Sequence, residues 1–157
     1  MGNLKRPKIG DVIEFDTGQG LAYAHYSHKH ELWGYLLRVY NQLYPGRPAS
    51  LAATVAGEPT FYTFFPLGSF VHRGLVTIAG HVPLSEKAKT FPRFRNGNPN
   101  LAGKVRDWSI WDNEEFYPVG PATDEVRKLS QLGLCDDVFL IDQILTGYTP
   151  ETDPQLG

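Results

Sequence analysis

Apolar residues up to about position 120 come in short runs, each closed off by glycine, proline or a polar turn, and this rhythm suits strands joined by turns. Gly10–Asp16 alternates apolar and polar side chains as a half-buried strand does. Thr17–Gly20 is a turn, and Leu21–Tyr26 returns as the second arm of a hairpin. Trp33–Tyr40 is strongly apolar and reads as a central strand. From 43 to 59, Pro45, Gly46, Pro48, Gly57 and Pro59 predict a loop around a short strand at 51–55. Phe61–Phe65 and Leu75–Ala79 are further strand candidates, whereas 83–106 shows no period and reads as a long surface excursion. Trp108–Trp111 and Glu115–Val119 are predicted strands joined by a tight turn at Asp112-Asn113.

The pattern then changes. Thr123 caps a helix predicted to run to about Leu132, with Asp124 and Glu125 in its first turn. Asp136 or Asp137 caps a second, in which Val138, Ile141, Ile144 and Leu145 recur at helical spacing before a stop at Gly147. Strands followed by helices, with no alternation of the two, predict an α+β domain: an antiparallel, partly closed sheet or barrel of about seven strands, then two C-terminal helices. One domain spans 1–157, with 148–157 as a tail; this length is enough to bury roughly 70% of the unfolded surface.

A single cysteine, Cys135, excludes an internal disulfide. The basic start, Met1–Lys8, has no apolar run behind it, so it does not read as a signal peptide. Gly2 lacks the Ser or Thr that a myristoylation motif wants at position 6, where Arg6 stands. No stretch approaches the ~18–20 apolar residues of a membrane-spanning helix. These features lead to the expectation of a cytoplasmic protein that does not contact membranes.

The formal net charge of −2 hides a strong polarity. Residues 107–157 hold 11 acidic and 2 basic side chains, residues 1–106 hold 6 and 13. Such asymmetry bears on partners and association rates. The acids Asp112, Glu114 and Glu115 cluster at the predicted hairpin tip. Asp136 and Asp137 open the last helix, with Asp142 one turn on. With Trp111 and Phe116 as aromatic anchors, they are the candidate partner-binding residues, since a polar surround about an aromatic is the usual make-up of a binding hot spot.

Three other chemistries are weaker. His28 and His30 share a strand face, and with Glu31 and His72 they suggest a divalent-metal site of the cupin kind. The cupin carboxylate is missing, however: Gly34 and Tyr35 stand four and five residues after His30. A polar loop at 25–31 with solvated histidines is the simpler expectation, so neither a metal nor a cofactor is expected. In the 87–106 excursion, Lys87, Lys89, Arg93, Arg95, Lys104 and Arg106 interleave with Phe91 and Phe94, as single-stranded nucleic acid would require. A pI near 6.2 opposes a nucleic-acid partner, and the competing reading is a solvated loop or one that folds against the acidic C-terminal third. Cys135, followed by two acids, reads as packing between the two helices, and no nucleophile elbow or phosphate loop is present.

Several segments resemble the immunity protein 26 family of bacterial polymorphic-toxin systems. They are Lys8–Phe15, Tyr35–Val39, Val76–Leu84, Trp108–Asp112 and Gly133–Gly147, so the likeness spans 8–147. Where that family often carries Glu-Arg before an isoleucine of its last helix, Asp142-Gln143 precedes Ile144 here. The Gly10-Asp-Val opening also occurs in small-barrel endoribonuclease toxins, but their following Arg-Pro strand is absent. The resemblance implies a non-enzymatic protein that binds and neutralises a cognate toxin domain encoded nearby, and supplies no catalytic residues.

Overall fold

The computed structural model describes residues 6–157, so Gly2 lies outside the described residues. The fold is α+β, with two open sheets and nine strands among the described residues, where about seven and partial closure were expected. The first sheet has the order β4-β3-β2-β1-β5, from β1 (Asp11–Asp16), β2 (Leu21–His30), β3 (Gly34–Tyr44), β4 (Phe61–Phe65) and β5 (Thr77–His81). It is antiparallel throughout.

The second sheet has the order β8-β7-β6-β9, from β6 (Phe94–Asn96), β7 (Trp108–Trp111), β8 (Phe116–Gly120) and β9 (Ser130–Gln131). Two of its members were not anticipated. β6 arises inside the aperiodic 83–106 segment, and β9 cuts short the helix expected through Leu132, leaving α3 as Asp124–Lys128. Three residues and two residues are too short for any period to show in sequence.

A strip after β9 joins the sheets. Ser130 and Gln131 pair in parallel with β6, and Gly133 and Cys135 then bond to the outer edge of β4 through Phe64. That edge is thereby covered without the sheet closing. The expected strand at 51–55 is instead the helical turn α1 (Leu51–Thr54), capped by Ser50 Oγ on the Ala53 N–H, and α2 (Leu67–His72) follows β4.

Both faces of the first sheet are occupied, which is why β1 to β3 are buried on both sides despite their alternation. On one face Ile13, Phe15, Leu37, Val39, Phe61 and Phe65 pack against α2 and against α4 (Asp137–Leu145), the second expected helix. Leu140 and Ile144 are its buried contacts, each contributing roughly 1.5–3 kcal/mol. On the other face Leu36 and Phe64 meet Phe94 and Trp111 of the second sheet and Leu132 of the strip after β9, while Val12 and Tyr23 meet Val55.

Residues 148–157 are no loose tail. Two 3-10 turns, Pro150–Thr152 and Pro154–Leu156, bury Pro150 and Leu156. Arg95 holds them: fully enclosed, it donates to the carbonyls of Pro150 (2.8 Å), Arg127 (3.1 Å) and Val126 (3.2 Å) and lies over the Trp108 ring. Among the described residues no helix is long and apolar enough to cross a membrane.

Candidate functional site

The acids singled out in the sequence lie on two separate elements. At the β7–β8 turn, Asp112 accepts from the N–H groups of Glu114 and Glu115 (both 2.9 Å) and from Tyr117 Oη (2.8 Å). These donors hold its carboxyl below the usual range, and the bond to that carboxylate in turn pushes the Tyr117 hydroxyl up to about 12. Asn113 sits at φ 84°, the left-handed conformation this tight turn needs. Trp111 is not an exposed anchor: it is 5% exposed and part of the aromatic cluster between the sheets. Phe116, 53% exposed, stacks on its ring, with centroids 6.2 Å apart.

The other acids surround α4. Asp136 caps it, accepting from the Phe139 N–H at 2.9 Å, and Asp137 lies in its first turn. Asp142 is exposed and makes no ion pair among the described residues. Apolar side chains stand among them: Leu134 is 59%, Val138 73% and Phe139 56% exposed. Val138 shares the helical spacing of Ile141, Ile144 and Leu145 yet is not packed. The packed face runs through Leu140 and Ile144, and both Val138 and Phe139 project off it.

Leu134 and Phe139 border a groove of about 530 Å³ between α4, the strip after β9 and the 3-10 turns. Asp142 and Asp153 line it, and none of its lining residues is Lys, Arg or His. Its floor includes the outer edge of β4 at Tyr62, whose N–H donates to Ser130 Oγ (2.8 Å). Cys135 also lines it, packed on Thr63 Oγ1 at 3.3 Å and not between the helices; burial pushes the thiol up to about 11. The sequence offered one sign of this groove, two apolar residues left over once the buried face of α4 is assigned.

The histidines are structural in geometry. The expected loop at 25–31 is strand up to His30, so His25 is enclosed, with Nε2 between the carbonyls of Val82 (2.7 Å) and Gly10 (3.0 Å). Burial lowers the pKa of His25 and of His28. His28 bonds to Ser27 Oγ (2.9 Å) and the Lys89 carbonyl (2.8 Å), and its ring packs on Phe91. His30 Nδ1 accepts from the Leu32 and Trp33 N–H groups. His72 ends α2, and among the described residues no three His, Cys, Asp or Glu converge as a metal site would need. His81 Nδ1 instead meets the buried Asp11 at 2.8 Å. Gly10 is required there: at φ 101°, an added Cβ would lie 2.7 Å from the His81 ring.

Part of the basic excursion folds onto the acidic third, one of the two competing expectations for it. Arg93 pairs with Glu125, Arg95 lies 3.6 Å from Asp153, and Lys104 donates to the Pro154 carbonyl at 2.7 Å. Phe94 and Arg95 are therefore enclosed and present nothing to a nucleic-acid base or phosphate. Comparison with family models, curated proteins and solved structures gives no match to this chain.

Proposed function

We propose that this protein is a cytoplasmic immunity protein that binds a cognate toxin domain and neutralises it by occlusion, without catalysing a reaction. The observation that carries the reading is the pairing of exposed apolar side chains with unneutralised acids. It occurs twice, at Phe116 and Tyr117 beside Glu114 and Glu115, and at Leu134, Val138 and Phe139 beside Asp136, Asp137 and Asp142. Apolar surface supplies affinity on desolvation, while surrounding charge of one sign steers and selects a partner of the opposite sign. The resemblance of 8–147 to the immunity protein 26 family supports the same reading.

Co-expression tests it. Cells carrying the toxin encoded beside this gene should survive when this protein is made, and the two purified proteins should form a stoichiometric complex. Death regardless of its presence overturns the proposal.

A further inference from the structure

The two acidic surfaces are not equivalent. At the β7–β8 turn the Asp112 carboxylate is engaged by its own hairpin, and Phe116 already stacks on Trp111. At α4 the groove is concave and walled by Leu134 and Phe139, and Asp142 stands on its border without a cation. Asp153, deeper in, is held by Tyr148 Oη at 2.9 Å and faces Arg95 at 3.6 Å. Tyr62 turns its peptide edge away from β3, and in an antiparallel strand its carbonyl shares that direction, towards the groove.

We infer that this groove receives an arginine- or lysine-bearing, otherwise apolar segment of the partner protein, an inference that rests on the immunity reading. The fit is chemical at each point. An aliphatic stem lies along Leu134 and Phe139, as long basic side chains do on apolar surface. The cationic head reaches Asp142 and a backbone carbonyl, both acceptors, and meets no resident cation. A guanidinium suits this better than an ammonium, because its planar fork serves two acceptors at once. An acidic segment is excluded by the same charges. A volume of about 530 Å³ accommodates one or two large side chains, not a folded domain, so the segment is a loop or chain end that anchors a wider contact.

The toxin domain encoded beside this gene is the probe. Leu134→Ala with Phe139→Ala, and separately Asp142→Lys, should each weaken the complex tenfold or more by titration calorimetry. Asp16→Lys and Glu31→Lys, at exposed acids outside both candidate surfaces, should stay within threefold. All five side chains are exposed, so unchanged thermal unfolding shows that the variants fold. A benzoylphenylalanine photo-crosslinker placed at Val138 should capture the toxin, and the attached peptide should contain Arg or Lys. Failure of the unaltered proteins to associate overturns the immunity reading, and the groove with it. A complex that tolerates the groove substitutions, or crosslinks through a peptide without a basic residue, overturns the groove alone.

Discussion

Arg95 is the residue on which the architecture around the groove depends most heavily, and its removal has a calculable consequence. Replacement by methionine keeps most of the stem and removes every donor. The Pro150 and Arg127 carbonyls then lose the bonds described above, while the Val126 carbonyl retains the Leu129 N–H. The buried Pro150 carbonyl, orphaned at ~1–3 kcal/mol, sets the scale, and the part-buried Arg127 carbonyl adds less. Loss of the contact with Trp108 adds to it, and relief of burying a charge, the cause of this guanidinium's lowered pKa, offsets part. The net is about 1–4 kcal/mol of destabilisation, or roughly 3–12 °C in melting temperature for a domain of this size. Arg95→Lys should lose nearly as much, because one ammonium does not span carbonyls on both α3 and the 3-10 turn. Urea unfolding at pH 7 measures the loss, and amide exchange across 150–156 shows where it falls. A destabilisation under ~1 kcal/mol with native protection of those amides would refute the idea that this side chain ties the C-terminal turns to the fold.

Three more outcomes are expected. His25 and His28 have folded-state pKa values lowered from 6.5, chiefly by burial, so the unfolded chain binds protons first as pH falls. Stability should therefore be full above pH ~6.5 and decline below it, and His25→Gln should flatten that decline in urea midpoints measured between pH 5 and 8; an unchanged slope rejects the assignment. Cys135, with its thiol raised to about 11, should react with a disulfide reagent at pH 8 at least tenfold more slowly folded than in urea, and parity would contradict its packing against Thr63. Asp136→Ala should cost about 1 kcal/mol by removing the cap on α4, read from thermal unfolding, whereas Asp137→Ala, whose carboxylate bonds only to the neighbouring Val138 N–H, should cost less than half of that.

Local signals carried the elements whose stability is local. The β1–β2 turn, the Trp108–Trp111 strand, the Thr123 and Asp136 caps and the Gly147 stop at φ 72° all lie where side-chain chemistry places them. What sequence did not disclose depends on partners distant in the chain. β6 exists because Phe94–Asn96 finds β7 on one side and β9 on the other, and its Arg95 reads as a surface cation until the carbonyls that enclose it are known. Trp111 reads as an anchor for a partner for the same reason. Extension of β2 to His30 follows from pairing with Gly34–Leu36, which no property of His28 or Lys29 announces. Of the groove, sequence shows no more than apolar residues left over on α4, because a strip, a helix and the C-terminal turns together make it.

The polarity of the sequence is also redistributed by folding, and the redistribution decides what the acids can do. Were the two halves of the chain two halves of the molecule, the protein would be a simple dipole. Instead Arg93 and Arg95 cross over to Glu125 and Asp153, while Arg47, Lys87 and Lys89 pair with Glu14, Glu58 and Glu86 inside the basic half. Among the described residues, Glu125 and Asp153 are thus the acids of the last third that meet a cation, and those of α4 and of the β7–β8 turn do not. The uncompensated charge is concentrated on outward-facing elements, one of which borders the groove. Exposed charges act over about 10 Å at 0.1 M salt, so this field acts on encounter more than on the final contact. Raising salt from 50 to 500 mM should therefore lower the association rate with the toxin by tenfold or more and leave dissociation within threefold, as stopped-flow fluorescence would read. A salt-insensitive association rate would mean that the acids serve only to cap and solubilise, and that affinity comes from Leu134, Val138 and Phe139 alone.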